Sequence, residues 1–131
     1  RGFVRAVATM GATVGVGRLD AADSTAPDAH TRWDLASLTK VVGTTTLVLQ
    51  LVDSGRVALD APVQRYLPEW TGPGRERVLV RHLLSHSSGL PAWRPLYKEA
   101  TSPTSALALV VATAPDTAPG VRFVYSDLNF I

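Results

Sequence analysis

A domain that mixes strands and helices is predicted by three features of the sequence. Two short stretches near the start, residues 3–9 (FVRAVAT) and 12–16 (ATVGV), are rich in Val and Ala and flank Gly11. Leu35 to Ser54 is an uninterrupted, nearly uncharged run with clear start and stop signals. Residues 56–118 then alternate turn signals with short helical patterns.

The first two stretches read as β-strands because Val favours a pleated, half-buried surface and glycine punctuates them. Asp20 to Thr31 is polar, contains Pro27, and reads as a loop. Asp34 is the expected N-cap of the long helix, since its carboxylate can accept free first-turn N–H groups. Gly55 is its expected stop. The body, VVGTTTLVLQLV, is apolar nearly all round. Such a helix is expected to be central, buried against more than one layer.

Val57 to Trp70, with Pro62 and Pro68, predicts turns and a short helix. Arg75 to Val80 predicts a brief extended piece, and Arg81 to His86 one or two helical turns. Ser102 followed by Pro103 predicts a helix start, with the helix running to about Thr113. VRFVY (residues 121–125) reads as extended, and the last residues as the first turn of another helix. Two or three strands are too few to cover a buried helix well. The expectation is therefore part of a longer domain.

Composition narrows the function classes. The chain has 131 residues, 46% of them hydrophobic and 18% charged, with a net charge of +2. That is a globular composition. The arginines behind a pI of 9.4 are scattered and form no basic block, which argues against nucleic acid as a partner. No apolar run approaches the ~18 residues of a membrane span. The absence of cysteine excludes thiolate metal sites and Cys nucleophiles. It leaves periplasmic, secreted and cytoplasmic compartments all open.

Ser37 and Lys40 stand three residues apart and so share one helical face. A serine hydroxyl needs a base before it becomes a good nucleophile. A lysine serves as that base only if its pKa falls well below its usual ~10.4. This spacing also arises by chance on helix surfaces. Lys40 and Lys98 are the only lysines, however, and a cation in the first turns of a helix opposes the helix dipole.

Other candidates are weaker. His82 and His86 are four apart but lack an intervening Glu and a third ligand, so structural or capping roles are expected and no metal site. The glycines of residues 11–17 fit no dinucleotide loop. Ser87-Ser88-Gly89 lacks the leading glycine of a nucleophile elbow. Trp33, Trp70 and Trp93 read as core or cleft-wall residues.

Three stretches taken together resemble the serine β-lactamase-like family, which contains class C β-lactamases, low-molecular-weight penicillin-binding proteins, D-aminopeptidases and esterases. They are WDLASLTKVVGTTTLVLQLVDSGRVALDAPVQRYLPEW, VLVRHLLSHSSGLPAW and PGVRFVYSDLNFI, in that order from residue 33 onward. The resemblance implies an α/β (α+β) domain of β-lactamase/transpeptidase type, an antiparallel sheet flanked by helices. It divides the chain into residues 1–55 (strands and nucleophile helix), a mainly helical insertion over 56–118, and 119–131 carrying a tyrosine motif.

By the same resemblance Ser37 is the acylated nucleophile, Lys40 its Ser-x-x-Lys partner, and Tyr125 the tyrosine of a Tyr-x-Asn motif. The implied activity is acyl transfer on a small-molecule or peptide-like ester, amide or β-lactam, with no cofactor. One oxyanion-hole donor would be the Ser37 N–H. His82 and His86 receive no catalytic role.

Two departures stand out. The family's third motif, Lys/His-Thr/Ser-Gly on a late strand, does not occur before Ile131, so the chain alone is expected to be poorly active. The tyrosine motif reads Tyr125-Ser126-Asp127, with Asp in place of Asn. An amide donates and accepts, whereas a carboxylate only accepts. If Asp127 faces Lys40 it favours the protonated lysine, shifts the base role toward Tyr125, and favours ester or peptide-like substrates over β-lactams. The alternative is a non-catalytic binding or scaffold protein that keeps the fold, or an inactive truncated fragment.

Overall fold

The computed structural model describes residues 32–131. The strands expected over 3–9 and 12–16 lie outside that range. Contacts divide the chain into two units, residues 1–36 and 37–131. In the second, α1 (Thr46–Asp53) continues directly from a wider π-helical turn, Lys40–Thr45. The threonine run explains that turn. The Thr45 hydroxyl donates to the Lys40 carbonyl at 2.8 Å and the Thr46 hydroxyl to the Val41 carbonyl at 3.0 Å, each five residues back. Both bonds favour the wider winding, which occurs mostly as single turns at functional sites.

Helical geometry starts at residue 38, later than expected. Asp34 is not the cap. Its carboxylate instead accepts the Ala36 N–H at 2.8 Å, and Ala36 takes a left-handed φ of 43°. At the other end Gly55 is the expected stop. With φ 71° it lets its own N–H reach the Val52 carbonyl and the Arg56 N–H reach the Leu51 carbonyl, satisfying two terminal acceptors.

The burial expected for this helix is not seen among the described residues. Among the described residues none of its side chains is buried, and Leu38, Val41, Val42 and Leu47 are each about 60% exposed. No described element covers that apolar face. The expected antiparallel sheet is also not seen among the described residues, which contain one isolated antiparallel bridge, Pro62 to Leu79.

That bridge organises the core. Val63 N–H donates to the Val78 carbonyl at 2.8 Å, and Val80 N–H to the Ala61 carbonyl at 3.1 Å. It therefore ties the 3-10 turn Val63–Arg65 to the start of α2 (Val80–Leu84). Residues 75–80 are only partly extended, because Arg75–Arg77 forms a 3-10 turn. Around the bridge pack Val63, Trp70, Val78, Leu90, Val110 and Leu128. A fully buried Val or Leu contributes roughly 1.5–3 kcal/mol. Of the three tryptophans only Trp70 joins this core; Trp33 and Trp93 are more than half exposed.

Two further helices close the core. After α3 (Leu96–Glu99), α4 (Pro103–Ala112) starts as expected. Ser102 accepts the Ser105 N–H at 3.1 Å, and Pro103 occupies the first turn, where no donor is needed. Arg94 donates to the Leu109 carbonyl at 3.2 Å and the Thr113 hydroxyl at 3.0 Å, placing a cation on the negative end of α4. VRFVY pairs with no strand among the described residues. It is held instead by the turn at 86–92, where Val124 N–H donates to the His86 carbonyl at 2.9 Å and Gly120 N–H to the Ser87 carbonyl at 2.8 Å. The final residues form the expected helical turn, a 3-10 turn over Asp127–Phe130.

Gly89 makes this turn possible. Its φ is 89°, and a Cβ there would lie 2.1 Å from the Thr117 carbonyl oxygen, which is backbone and cannot yield cheaply. Gly89→Ala is expected to destabilise the fold by about 2–4 kcal/mol, combining left-handed strain with this clash. Urea unfolding monitored by Trp70 fluorescence measures it; a loss below ~1 kcal/mol contradicts the role given to this turn.

Candidate active site

Ser37 is exposed and lies immediately before the first helical residue. Its carbonyl accepts the Lys40 N–H at 3.0 Å, which closes the first turn and brings the two side chains onto one face. The Lys40 ammonium donates to the Ser37 hydroxyl at 3.2 Å. It also forms an ion pair with the Asp127 carboxylate at 2.8 Å. Lys40 further lies 5.3 Å from the centre of the Tyr125 ring. Ser37, Lys40, Tyr125 and Asp127 thus meet around one ammonium group, although positions 40 and 125 are far apart in sequence.

Electrostatics set the charge of that group. The hydrogen bond to Asp127 raises the Lys40 pKa above its ordinary 10.5, burial opposes this, and the Tyr125 oxygen adds to the rise. Lys40 is therefore an ammonium at neutral pH, a donor to Ser37 rather than an acceptor of its proton. The sign follows for stability. A raised lysine contributes fully below its unfolded value and loses that contribution as pH rises through the folded value. The Asp127 side chain is 45% exposed, so solvent screens the pair.

The tyrosine motif is positioned by the turn at 86–92. Asp127 N–H donates to the Ala92 carbonyl at 3.0 Å. The buried Ser126 donates its hydroxyl to the Pro91 carbonyl at 2.7 Å and its N–H to His86 Nδ1 at 3.0 Å. Buried Ser88 donates to Asn129 Oδ1 at 2.5 Å. The His86 ring lies 4.4 Å from the Tyr125 ring, tilted by 31°, and 5.1 Å from Phe130. Such buried, mutually satisfied polar groups fix a unique geometry.

The two histidines divide as follows. His82 caps its own helix, its Nδ1 accepting the Leu79 N–H at 3.1 Å, in line with the capping role expected for it. His86, for which a structural or capping role was expected, sits against the tyrosine motif. The polar run at residues 85–88 is a sign of a hydrogen-bonded turn, but no local pattern says that it meets residues 124–129. Among the described residues no three His, Asp or Glu side chains converge as a metal site.

Comparison with known proteins gives the family. The family model described as Beta-lactamase matches residues 1–131. The esterase EstB of Burkholderia gladioli is 48% identical over 67 residues, covering 48% of this chain and 17% of its own. A protein of Salmonella agona named "Putative D-alanyl-D-alanine carboxypeptidase" is 26% identical over 116 residues, 78% of this chain and 27% of its own. A crystal structure of a class C beta lactamase superposes with a TM-score of 0.60 at 32% identity, over 71% of this chain and 25% of that one. The chain thus spans about a quarter or less of the length of these relatives. A match of the family model across every residue, together with a class C β-lactamase as structural neighbour, places this chain in the beta-lactamase family of serine hydrolases.

Proposed function

We propose that the protein is a serine hydrolase working through an acyl-enzyme, with Ser37 as nucleophile, and that it favours ester or peptide-like acyl substrates. The observation that carries this reading is the Lys40 ammonium shared between Ser37 and Asp127. In the proposed cycle the Ser37 oxygen attacks the substrate carbonyl while its proton passes to the Tyr125 oxygen. In exchange the Tyr125 hydroxyl passes its own proton to the leaving group, so the phenol stays neutral beside the Lys40 ammonium, and the Ser37 N–H faces the oxyanion. The Ser37 ester is then released by water or another acceptor.

Asp127 is central to the substrate preference. Its carboxylate keeps Lys40 protonated and offers no N–H to a substrate amide carbonyl. The names of the relatives, an esterase, a carboxypeptidase and a β-lactamase, support the breadth of acyl chemistry and leave the ester preference to the Lys40–Asp127 pair. A non-catalytic protein that keeps the fold is the competing reading.

A fluorophosphonate or fluorescent penicillin probe separates the two. The full-length protein is expected to label, Ser37→Ala to lose the label, and Lys40→Ala or Tyr125→Phe to label about 10²–10⁴ times more slowly. Labelling that survives Ser37→Ala excludes the proposed nucleophile, and no labelling under any condition supports the scaffold reading. In Asp127→Asn the Lys40 pKa is expected to fall, as read by its side-chain NMR titration, and β-lactam turnover to rise relative to ester turnover. An unchanged Lys40 titration, or an unchanged substrate ratio, counts against the role given to Asp127.

A further inference from the structure

We propose that His86 is a positioning residue for the tyrosine motif and that it makes the site sensitive to acid, because it holds the motif only as a neutral imidazole. This rests on the hydrolase reading above for its effect on turnover, and on the geometry alone for the clamp.

His86 grips residues 123–130 through its carbonyl, its Nδ1 and its ring. Its carbonyl accepts the Val124 N–H at 2.9 Å. Its Nδ1 accepts the Ser126 N–H at 3.0 Å and lies 3.4 Å from Asn129 Nδ2. Its ring lies against the Tyr125 face at 4.4 Å, and the Phe123 ring meets it edge-on at 5.9 Å. To present both carbonyl and ring to one segment, His86 adopts a left-handed φ of 55°, a conformation that non-glycine residues rarely hold. Strain of this kind persists only where surrounding structure enforces it, and it clusters at functional sites.

Both nearby nitrogens converge on Nδ1 as donors. The Asn129 amide is oriented for this by the Ser88 hydroxyl, which occupies its oxygen at 2.5 Å. Nδ1 must therefore be the acceptor, with the ring proton on Nε2. A second proton on Nδ1 would meet the Ser126 N–H head-on. It would break the bond that sets the backbone between Tyr125 and Asp127.

The charged and titratable groups facing the ring are Lys40, from the nucleophile helix, and Asp127 and Tyr125, from the motif itself. Burial holds the imidazole below its ordinary 6.5 and the Lys40 ammonium pushes the same way, while the Asp127 carboxylate and the Ser126 backbone pull upward with less effect. The sign is consistent with a neutral working form. A lowered histidine contributes fully to stability above pH 6.5, and that contribution is lost as pH falls from 6.5 toward the folded value. The clamp itself opens as pH falls through the folded value. Histidine is the side chain whose ordinary pKa lies in this range, and His82 caps a different helix through Leu79.

The test pairs a structural and a kinetic readout. In the first, ¹⁵N-labelled protein is titrated from pH 8 to 5 by NMR. His86 is expected as the Nε2–H tautomer, and the Ser126 amide proton is expected to shift with the same midpoint as the His86 ring. A Nδ1–H tautomer, or a Ser126 amide that ignores the His86 titration, overturns the clamp, whatever the protein's activity. In the second, fluorophosphonate labelling of Ser37 is followed against pH. Below the His86 midpoint the rate is expected to fall about tenfold per pH unit. His86→Asn keeps an acceptor at the Nδ1 position and suits the left-handed backbone, yet cannot be protonated. It is expected to label slowly but with a flat profile from pH 5 to 7, whereas His82→Asn keeps the acid limb. An acid limb retained in His86→Asn overturns the proposal. Absence of labelling in the wild type contradicts the hydrolase reading instead, and the NMR titration then decides the clamp.

Discussion

The fold and the site of this protein both depend on the hydrogen-bonded turn at residues 86–92. It is the place where a segment from the middle of the chain meets its last residues. Gly89 gives it the tight backbone that a Cβ would forbid. Ser88 and Pro91 then satisfy the buried polar groups of Asn129 and Ser126. A buried donor or acceptor left without a partner costs about 1–3 kcal/mol. The two segments therefore separate only at considerable cost, and the position of Tyr125 is set by backbone geometry rather than by its own exposed side chain.

The nucleophile helix supplies the other half of the site by a different means. Its first turn is closed by the Ser37 carbonyl, and its threonines draw the next turn into π geometry. Lys40 lies where the two halves meet and donates to one residue from each, Ser37 and Asp127. Asp127, in place of the amide of the family pattern, turns this lysine from a potential base into a fixed cation. On the proposed reading, that one substituted atom type changes which residue accepts the Ser37 proton. That change supports a shift of preference among acyl substrates.

Local signals were readable in the sequence where a single residue type settles the geometry. Gly55 ends its helix in the left-handed region, Ser102 and Pro103 start α4, and Ser37 and Lys40 share a face because their spacing is close to one turn. Signals that depend on distant partners were not readable. Apolarity all round the nucleophile helix predicted burial, yet the described residues leave Val41, Val42 and Leu47 exposed, because periodicity reports what a face could bury and not what lies opposite it. A structural or capping role was expected for His86, but what it touches was invisible for the same reason. Its partners, Val124, Ser126 and Tyr125, are about forty positions away (126 − 86 = 40), and only the folded turn brings them together. The Asp34 cap was misplaced because Asp34 bonds locally to Ala36 before the helix begins, an alternative open to any aspartate near a turn.

The central claim is that Ser37 carries the acyl group. Its most direct measurement is peptide mapping by mass spectrometry after an acid quench of the protein mixed with a short-chain p-nitrophenyl ester. The account predicts one acyl adduct, on the peptide containing Ser37, that disappears as the ester is consumed. An adduct that maps to any other residue, or ester turnover with no acylated peptide at all, would contradict it.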